Sequence, residues 1–216
     1  MPEGVPELLA RGPWKVSQVE ARWSERPFVP DAPANAAADA AVAELRKRGS
    51  PTHDGLSARL ADFEASRERL RLQLEPARWS LRLSGDTARS MSALCVVRDA
   101  EGRWLAGRRA AWVATWPGRW ALGAGGAVDV GENPVDTLKR ELHEEWSVRP
   151  ERLTIEALTR VPSGLLLLVG MAQLAEGGQV RMDREHDAHA WWPPDPADWP
   201  PEADGEVRHM GRVLAG

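Results

Sequence analysis

One stretch of this chain constrains its fold more than any other: Gly126 to Val148, GAVDVGENPVDTLKRELHEEWSV. Asn133 is a good N-cap, Pro134 suits the first helical position, and Asp136 favours the positive end of a helix dipole. A helix is therefore expected to begin just after Glu132 and to run from Pro134 to Trp146. At about 100° per residue, Val135, Leu138, Leu142 and Trp146 form an apolar stripe that must be covered. Glu141, Glu144 and Glu145 stand at i, i+3 and i+4 on a neighbouring face. Carboxylates so placed repel one another and raise each other's pKa unless a cation joins them. Alone, such a triplet is an ordinary solvated acidic face. A hard divalent cation would give it another use, because Mg2+ combines one or two carboxylates with water and substrate phosphates.

Composition narrows the classes. A chain of 216 residues holds one or two domains, and 43% hydrophobic with 28% charged residues is ordinary soluble usage. A net charge of −4 and a pI near 5.8 argue against a nucleic-acid coat or a polybasic membrane anchor. The longest apolar run, Gly164 to Ala172, is about half of what spans a bilayer. No basic n-region precedes an apolar h-region at the N-terminus, so a cytoplasmic protein is expected. The single cysteine, Cys95, excludes an internal disulfide framework and a four-cysteine zinc site. Neither a G-x-S-x-G elbow nor a G-x-x-x-x-G-K-[ST] loop is present, which removes serine-hydrolase and P-loop chemistry.

The chain divides near residue 88. Residues 1–88 carry 13 basic and 13 acidic residues, so the net charge lies in 89–216. Irregular strands or an arm are expected in the first thirty residues, and a helix from Asn35 to Arg48. A short helix is expected from Gly55 to Ser66, where Leu56, Leu60 and Phe63 recur at helical spacing. Alternation predicts strands at Leu70 to Leu74 and at Leu81 to Leu83. Further on, Ser92 to Arg98 and Arg103 to Gly107 flank a hairpin turn, and Leu153 to Val161 pairs with Gly164 to Ala172. A strand near His189 to Trp192 and a helix near Glu206 to Leu214 close the chain. Strands and helices mix without regular βαβ alternation, which points to an α/β sandwich with a mixed sheet.

The stretch from Gly126 resembles the Nudix box, G-x5-E-x7-R-E-U-x-E-E-x-G-U with U aliphatic. Gly126, Glu132, Arg140, Glu141, Glu144 and Glu145 occupy its fixed positions, and Leu142 and Val148 its aliphatic ones. At roughly 7% usage per residue type, six identities coincide by chance on the order of once in ten million starts. Ser147 stands where the box has its second glycine, and Ala124 where a proline is common upstream. The resemblance implies a Nudix α/β/α sandwich over 89–216, with 1–88 as a small α+β extension serving specificity or dimerisation. It implies a Mg2+-dependent hydrolase, with Mn2+ as a substitute, that cleaves the diphosphate linkage of a nucleoside diphosphate joined to another moiety. UDP-sugars and ADP-ribose are examples of such substrates. By the same resemblance, Glu141, Glu145 and the Gly126 carbonyl hold the metal. Glu144 is a further ligand or the base that deprotonates the attacking water, Arg140 orients a glutamate, and Glu132 supports the loop.

Weaker candidates lie outside the box. Arg108 and Arg109 end the strand before it, where related proteins often place a phosphate-contacting arginine, with surface ion pairs as the plain alternative. Trp112, Trp116 and Trp120 could stack on a base, although tryptophan is more often core. His186 and His189 lack ligand partners and read as a surface loop. Two other functions share the fold. An isoprenyl-diphosphate isomerase would need an active-site cysteine, and Cys95 reads as core. A nucleotide-sensing regulator usually has an eroded box and a basic appendage, whereas here the acids are intact and residues 1–88 are neutral, so no DNA partner is expected. THDGLSARL at 52–60, with the strands after it, faintly resembles the extension of UDP-sugar diphosphatases.

Overall fold

The computed structural model describes residues 5–50, 54–85 and 88–215; Thr52 and His53 of the 52–60 motif lie outside them. Two strands open the chain, β1 (Glu7–Lys15) and β2 (Val19–Trp23). Helix α1 (Ala32–Lys47) starts a turn earlier than expected. Its N-cap is Asp31, whose carboxylate accepts from the Ala34 amide at 2.8 Å. Strands β3 (Leu56–Ala65) and β4 (Leu70–Arg78) then pair antiparallel, with β2 parallel to β4, in a three-stranded sheet of order β2-β4-β3.

Residues 55–66 are thus a strand and not a helix. The register slips between Leu60 and Asp62, which is a β-bulge. The bulge resets the two-residue alternation, so Leu60 and Phe63 fall three apart while serving the same core. That spacing imitates a helix. The expected strand at Leu81 to Leu83 is a 3-10 turn, Trp79–Leu83. Two alternating leucines are too short a pattern to fix a period.

The eight-stranded sheet follows the order β1-β9-β10-β5-β6-β11. Its further members are β5 (Met91–Arg98), β6 (Trp104–Arg109), β7 (Trp120–Leu122), β8 (Ala124–Ala127), β9 (Arg152–Arg160), β10 (Leu166–Gln173) and β11 (His186–Trp192). Strand β7 pairs with β6, and β8 with β5. β10 runs parallel to β5 and antiparallel to β9, so the sheet is mixed as expected. The β5–β6 hairpin pairs only at Arg98 and Trp104, because β5 is occupied by β10 on one side and β8 on the other.

Side chains of β5 alternate between two cores. Met91, Ala93, Cys95 and Val97 face helix α2 (Pro134–Trp146), and Val96 faces helix α3 (Gly205–Ala215). The α2 stripe (Val135, Leu138, Leu142, Trp146) is at most 2% exposed. Each such burial contributes roughly 1.5–3 kcal/mol. Trp14, Leu60, Leu70, Leu72 and Leu74 join that same core. Backbone bonds tie the two sheets as well: Ala58 N–H donates to Val128 O at 2.8 Å, and Leu60 N–H to Arg89 O at 3.0 Å. Residues before 88 are therefore packed and hydrogen-bonded onto the loop that precedes α2.

The unusual tryptophan content has a structural use. Five indole N–H groups each reach a backbone carbonyl: Trp14 to Ser66, Trp23 to Glu132, Trp104 to Pro194, Trp146 to Gly123 and Trp199 to Pro193. A large apolar body with one donor at its rim packs a core and fastens a loop at once.

Candidate active site

Helix α2 carries the site, and both of its ends are built as the sequence requires. At the start, Asn133 Oδ1 accepts from the Val135 amide at 3.0 Å, and its Nδ2 donates to Val19 O at 3.1 Å. The helix is thus capped and fastened to β2 by one side chain. At the end, Ser147 takes the left-handed conformation (φ 55°, ψ 27°). Its amide donates to His143 O at 2.9 Å and the Val148 amide to Leu142 O at 3.3 Å, closing the turn as a glycine would. The serine is a strained stand-in for the box's glycine.

Arg140, at the middle of the helix, gathers three carboxylates. It donates to Glu132 through Nε at 3.0 Å and Nη2 at 3.1 Å, and to Glu141 at 2.6 Å and Glu144 at 3.5 Å through Nη1. Glu132 also accepts from Thr137 Oγ1 at 2.7 Å. Burial alone would raise the Glu132 carboxyl, but the bonds from Arg140 and Thr137 hold it below its usual value. Burial raises Glu141, which Arg140 only partly offsets. The Glu141 carboxylate lies over Gly126, where any Cβ would sit 2.0 Å from its Oε1. A glycine is needed there for space. Glu144 is mostly solvent-exposed.

Glu145 lies one turn on and differs in kind. Its side chain is 5% exposed. Oε1 accepts from the Gly125 amide at 3.4 Å and stands 3.9 Å from Arg109 Nη1. Oε2 is buried with no hydrogen-bond partner among the described residues. Burial pushes this carboxyl well above the ordinary range, and Arg109 only partly opposes it.

Glu141 and Glu145 border a cleft of about 670 Å3. Glu141, Glu145, Gly126 and Arg109 line it together with Trp112, Trp116 and Trp120. Trp79 and Arg82, from before residue 88, also line it. Arg82 was not singled out in the sequence; it donates to Ser92 Oγ at 2.8 Å and Ser57 Oγ at 3.2 Å. No local pattern marks it, because its partners are remote in sequence.

Arg108 does not reach the cleft. Neighbouring residues on a strand face opposite ways, and with Arg109 inward Arg108 pairs with Asp187 at 2.5 Å. His186 corrects a second expectation: it begins a strand, not a surface loop, and is 4% exposed. His189 lies on the same strand and is exposed. Cys95 is buried in β5, with its thiol pushed up to about 12 by burial, which leaves no active-site cysteine for isomerase chemistry.

The donors suit a hard divalent cation. An orphaned carboxylate oxygen on Glu145, a second carboxylate on Glu141 and a side-chain-free backbone at Gly126 border one cleft. Among the described residues no three acidic, imidazole or thiol groups form a closed metal cage. Two carboxylates and a backbone carbonyl suit an ion that keeps water and takes substrate oxygens.

No curated protein matches the chain. Among solved structures, DR0079 from Deinococcus radiodurans is 19% identical with a TM-score of 0.49, over 58% of this chain and 83% of that one. The NUDIX domain of NrtR from Shewanella oneidensis, solved with ADP ribose, is 18% identical with a TM-score of 0.46, over 58% and 84%. A MutT Nudix hydrolase from Burkholderia pseudomallei is 25% identical with a TM-score of 0.46, over 58% and 95%. Residues 88–213 match the family model of the NUDIX domain, and on that match, which spans more than half its length, the chain belongs to the Nudix family of divalent-metal-dependent pyrophosphate hydrolases.

Proposed function

We propose that the chain hydrolyses the diphosphate linkage of a nucleoside diphosphate joined to a second moiety, using Mg2+. The observation that carries this reading is the buried, unpartnered Oε2 of Glu145 on a cleft that also holds Glu141 and Gly126. Glu141, Glu145 and the Gly126 carbonyl would hold the ion, which when bound screens the diphosphate charge and lowers the pKa of coordinated water. Arg140 holds Glu141 in place over Gly126. Arg109, 12% exposed and lining the cleft, offers positive charge to a phosphate. Glu144, exposed and 3.5 Å from Arg140 Nη1, would either complete the ligand set or take the proton of the attacking water.

Size and lining support a substrate with a bulky non-phosphate part. A cleft of about 670 Å3 lies within the range that buries a nucleotide-sized ligand. Residues 1–88 then act in specificity, since Trp79 and Arg82 line the same cleft as the carboxylates. No helix among the described residues is long and apolar enough to cross a membrane. A panel of nucleoside triphosphates, dinucleotides, ADP-ribose, UDP-sugars and coenzyme A, assayed with Mg2+ and with Mn2+, tests the reading. Metal-dependent release of a nucleoside monophosphate from a diphosphate-linked substrate is expected. Turnover that persists in excess chelator would refute it.

A further inference from the structure

His186 is buried behind the acidic site and has no part in the reading above. Its ring packs on Trp146 at 4.7 Å between centroids, and its side chain is 1% exposed. Gly107 supplies the room: a Cβ there would sit 2.5 Å from His186 Cδ2 and 2.7 Å from Trp146 Cζ2. An apolar ring would fill that space without desolvating two nitrogens, so a histidine here requires partners. Asp183 Oδ1 lies 3.4 Å from Nδ1. Nε2 then faces Glu145 Oε2 at 3.9 Å, the same oxygen that lacks any hydrogen bond.

The backbone repeats this connection. The Asp183 amide donates to Glu145 O at 2.9 Å, and the Arg181 amide to Trp146 O at 2.9 Å. Residues 181–186 therefore strap the last turn of α2 and satisfy two of its open carbonyls. Asp183 bonds the Glu145 main chain by its own amide, and its carboxylate meets the His186 ring, whose other edge faces the Glu145 carboxylate at 3.9 Å. His186 does not line the cleft, whereas Glu145 does. The imidazole thus stands on the protein side of the carboxylate.

Resting on Glu145 as a metal ligand, we propose that His186 is a positioning residue: with Asp183 fixing its ring, it backs the Glu145 carboxylate from the protein side and holds its orientation at the cleft. Groups behind a ligand commonly set metal affinity, and their loss typically costs about 10–100-fold.

The experiment measures Mn2+ affinity by calorimetry, with the unfolding temperature of the metal-free protein recorded alongside. His186→Phe keeps a ring against Trp146 and removes the polar edge. It is expected to weaken Mn2+ binding by about 10–100-fold while shifting metal-free unfolding little. His186→Gln, which returns a polar group near the Nε2 position, is expected to recover part of that loss, and Asp183→Ala to weaken binding in the same direction. Parent-like Mn2+ affinity in His186→Phe, or in Asp183→Ala should the Phe variant not fold, overturns the proposal. A Gln variant binding no better than Phe overturns it too, since the ring would then serve packing alone. Glu145→Gln is the control. If it loses Mn2+ while His186→Phe does not, the metal site stands and only the positioning role falls. If Glu145→Gln binds Mn2+ like the parent, the reading of Glu145 fails first.

Discussion

Two sets of carboxylates at helix α2 carry the same chemistry to opposite effect. Glu132, just before the helix, and Glu141 and Glu144 on it all meet one guanidinium, Arg140. Glu145, beside Glu144, is more deeply buried, stands 3.9 Å from both Arg109 and His186, and has an oxygen with no hydrogen bond among the described residues. A satisfied ion pair adds stability, whereas a buried carboxylate oxygen left open costs stability. The difference separates what holds the helix from what the helix is for.

The strongest test of that contrast is Glu145→Gln. It should lower kcat by a factor on the order of 10³ or more, because several kcal/mol of transition-state stabilisation goes with a liganding charge. The metal-free protein should melt no earlier than the parent, since the change removes a buried, poorly compensated charge. An early-melting Gln variant would place Glu145 with the structural half.

Arg140→Met should give the opposite signature. Removing one cation leaves three carboxylates facing each other, with an expected cost of about 1–3 kcal/mol. For a chain of this size each kcal/mol lowers Tm by roughly 2–4 °C. An unchanged melting point in metal-free Arg140→Met would show that the network is ornamental.

Acid should reveal the same pair. Glu132 titrates below its ordinary 4.5 in the folded protein, so its stabilisation is complete above that pH and fades as pH falls through the folded value. The Tm gap between parent and Glu132→Gln should be widest above pH 4.5 and close on the acid side. A gap that does not vary with pH would contradict the pairing.

Ser147→Gly should have the smallest effect, a gain of up to ~1 kcal/mol, because the φ of 55° is cheap for glycine and strained for serine. Activity should change little, as no side chain facing the cleft is altered. Loss of thermal stability would mean the serine hydroxyl matters in a way the backbone does not show.

How much of this the sequence displays depends on range. The cap at Asn133, the apolar stripe and the three glutamates are local patterns, and the structure places helix α2 over the expected residues. The mixed sheet and the β9–β10 pairing follow from alternation and a short turn. Residues 56–65 misled because a bulge between Leu60 and Asp62 gives a strand a helical spacing. At the site, Gly126, Glu141, Glu145 and Arg109 share one cleft, but Arg108 turns away on the pleat. His186 and Arg82 were not legible as neighbours of the site, since their partners are fixed only when distant strands pair. The one local hint was Asp183 three residues before His186, which is too common a spacing to single out.

Strand β1 also bears on how the chain reaches this state. It is made first, yet its partner is β9, and Glu7 lies opposite Arg160. Throughout synthesis of the intervening residues β1 has no neighbour, and contacts between such distant residues form slowly. A waiting strand is exposed to pairing with another chain. β1 is suited to the delay: Glu7, Arg11, Lys15 and Pro13 interrupt it, and only Trp14 is buried once it docks. The catalytic sheet gains its outer strand late, from a segment whose sequence keeps it from sticking to copies of itself in the interval.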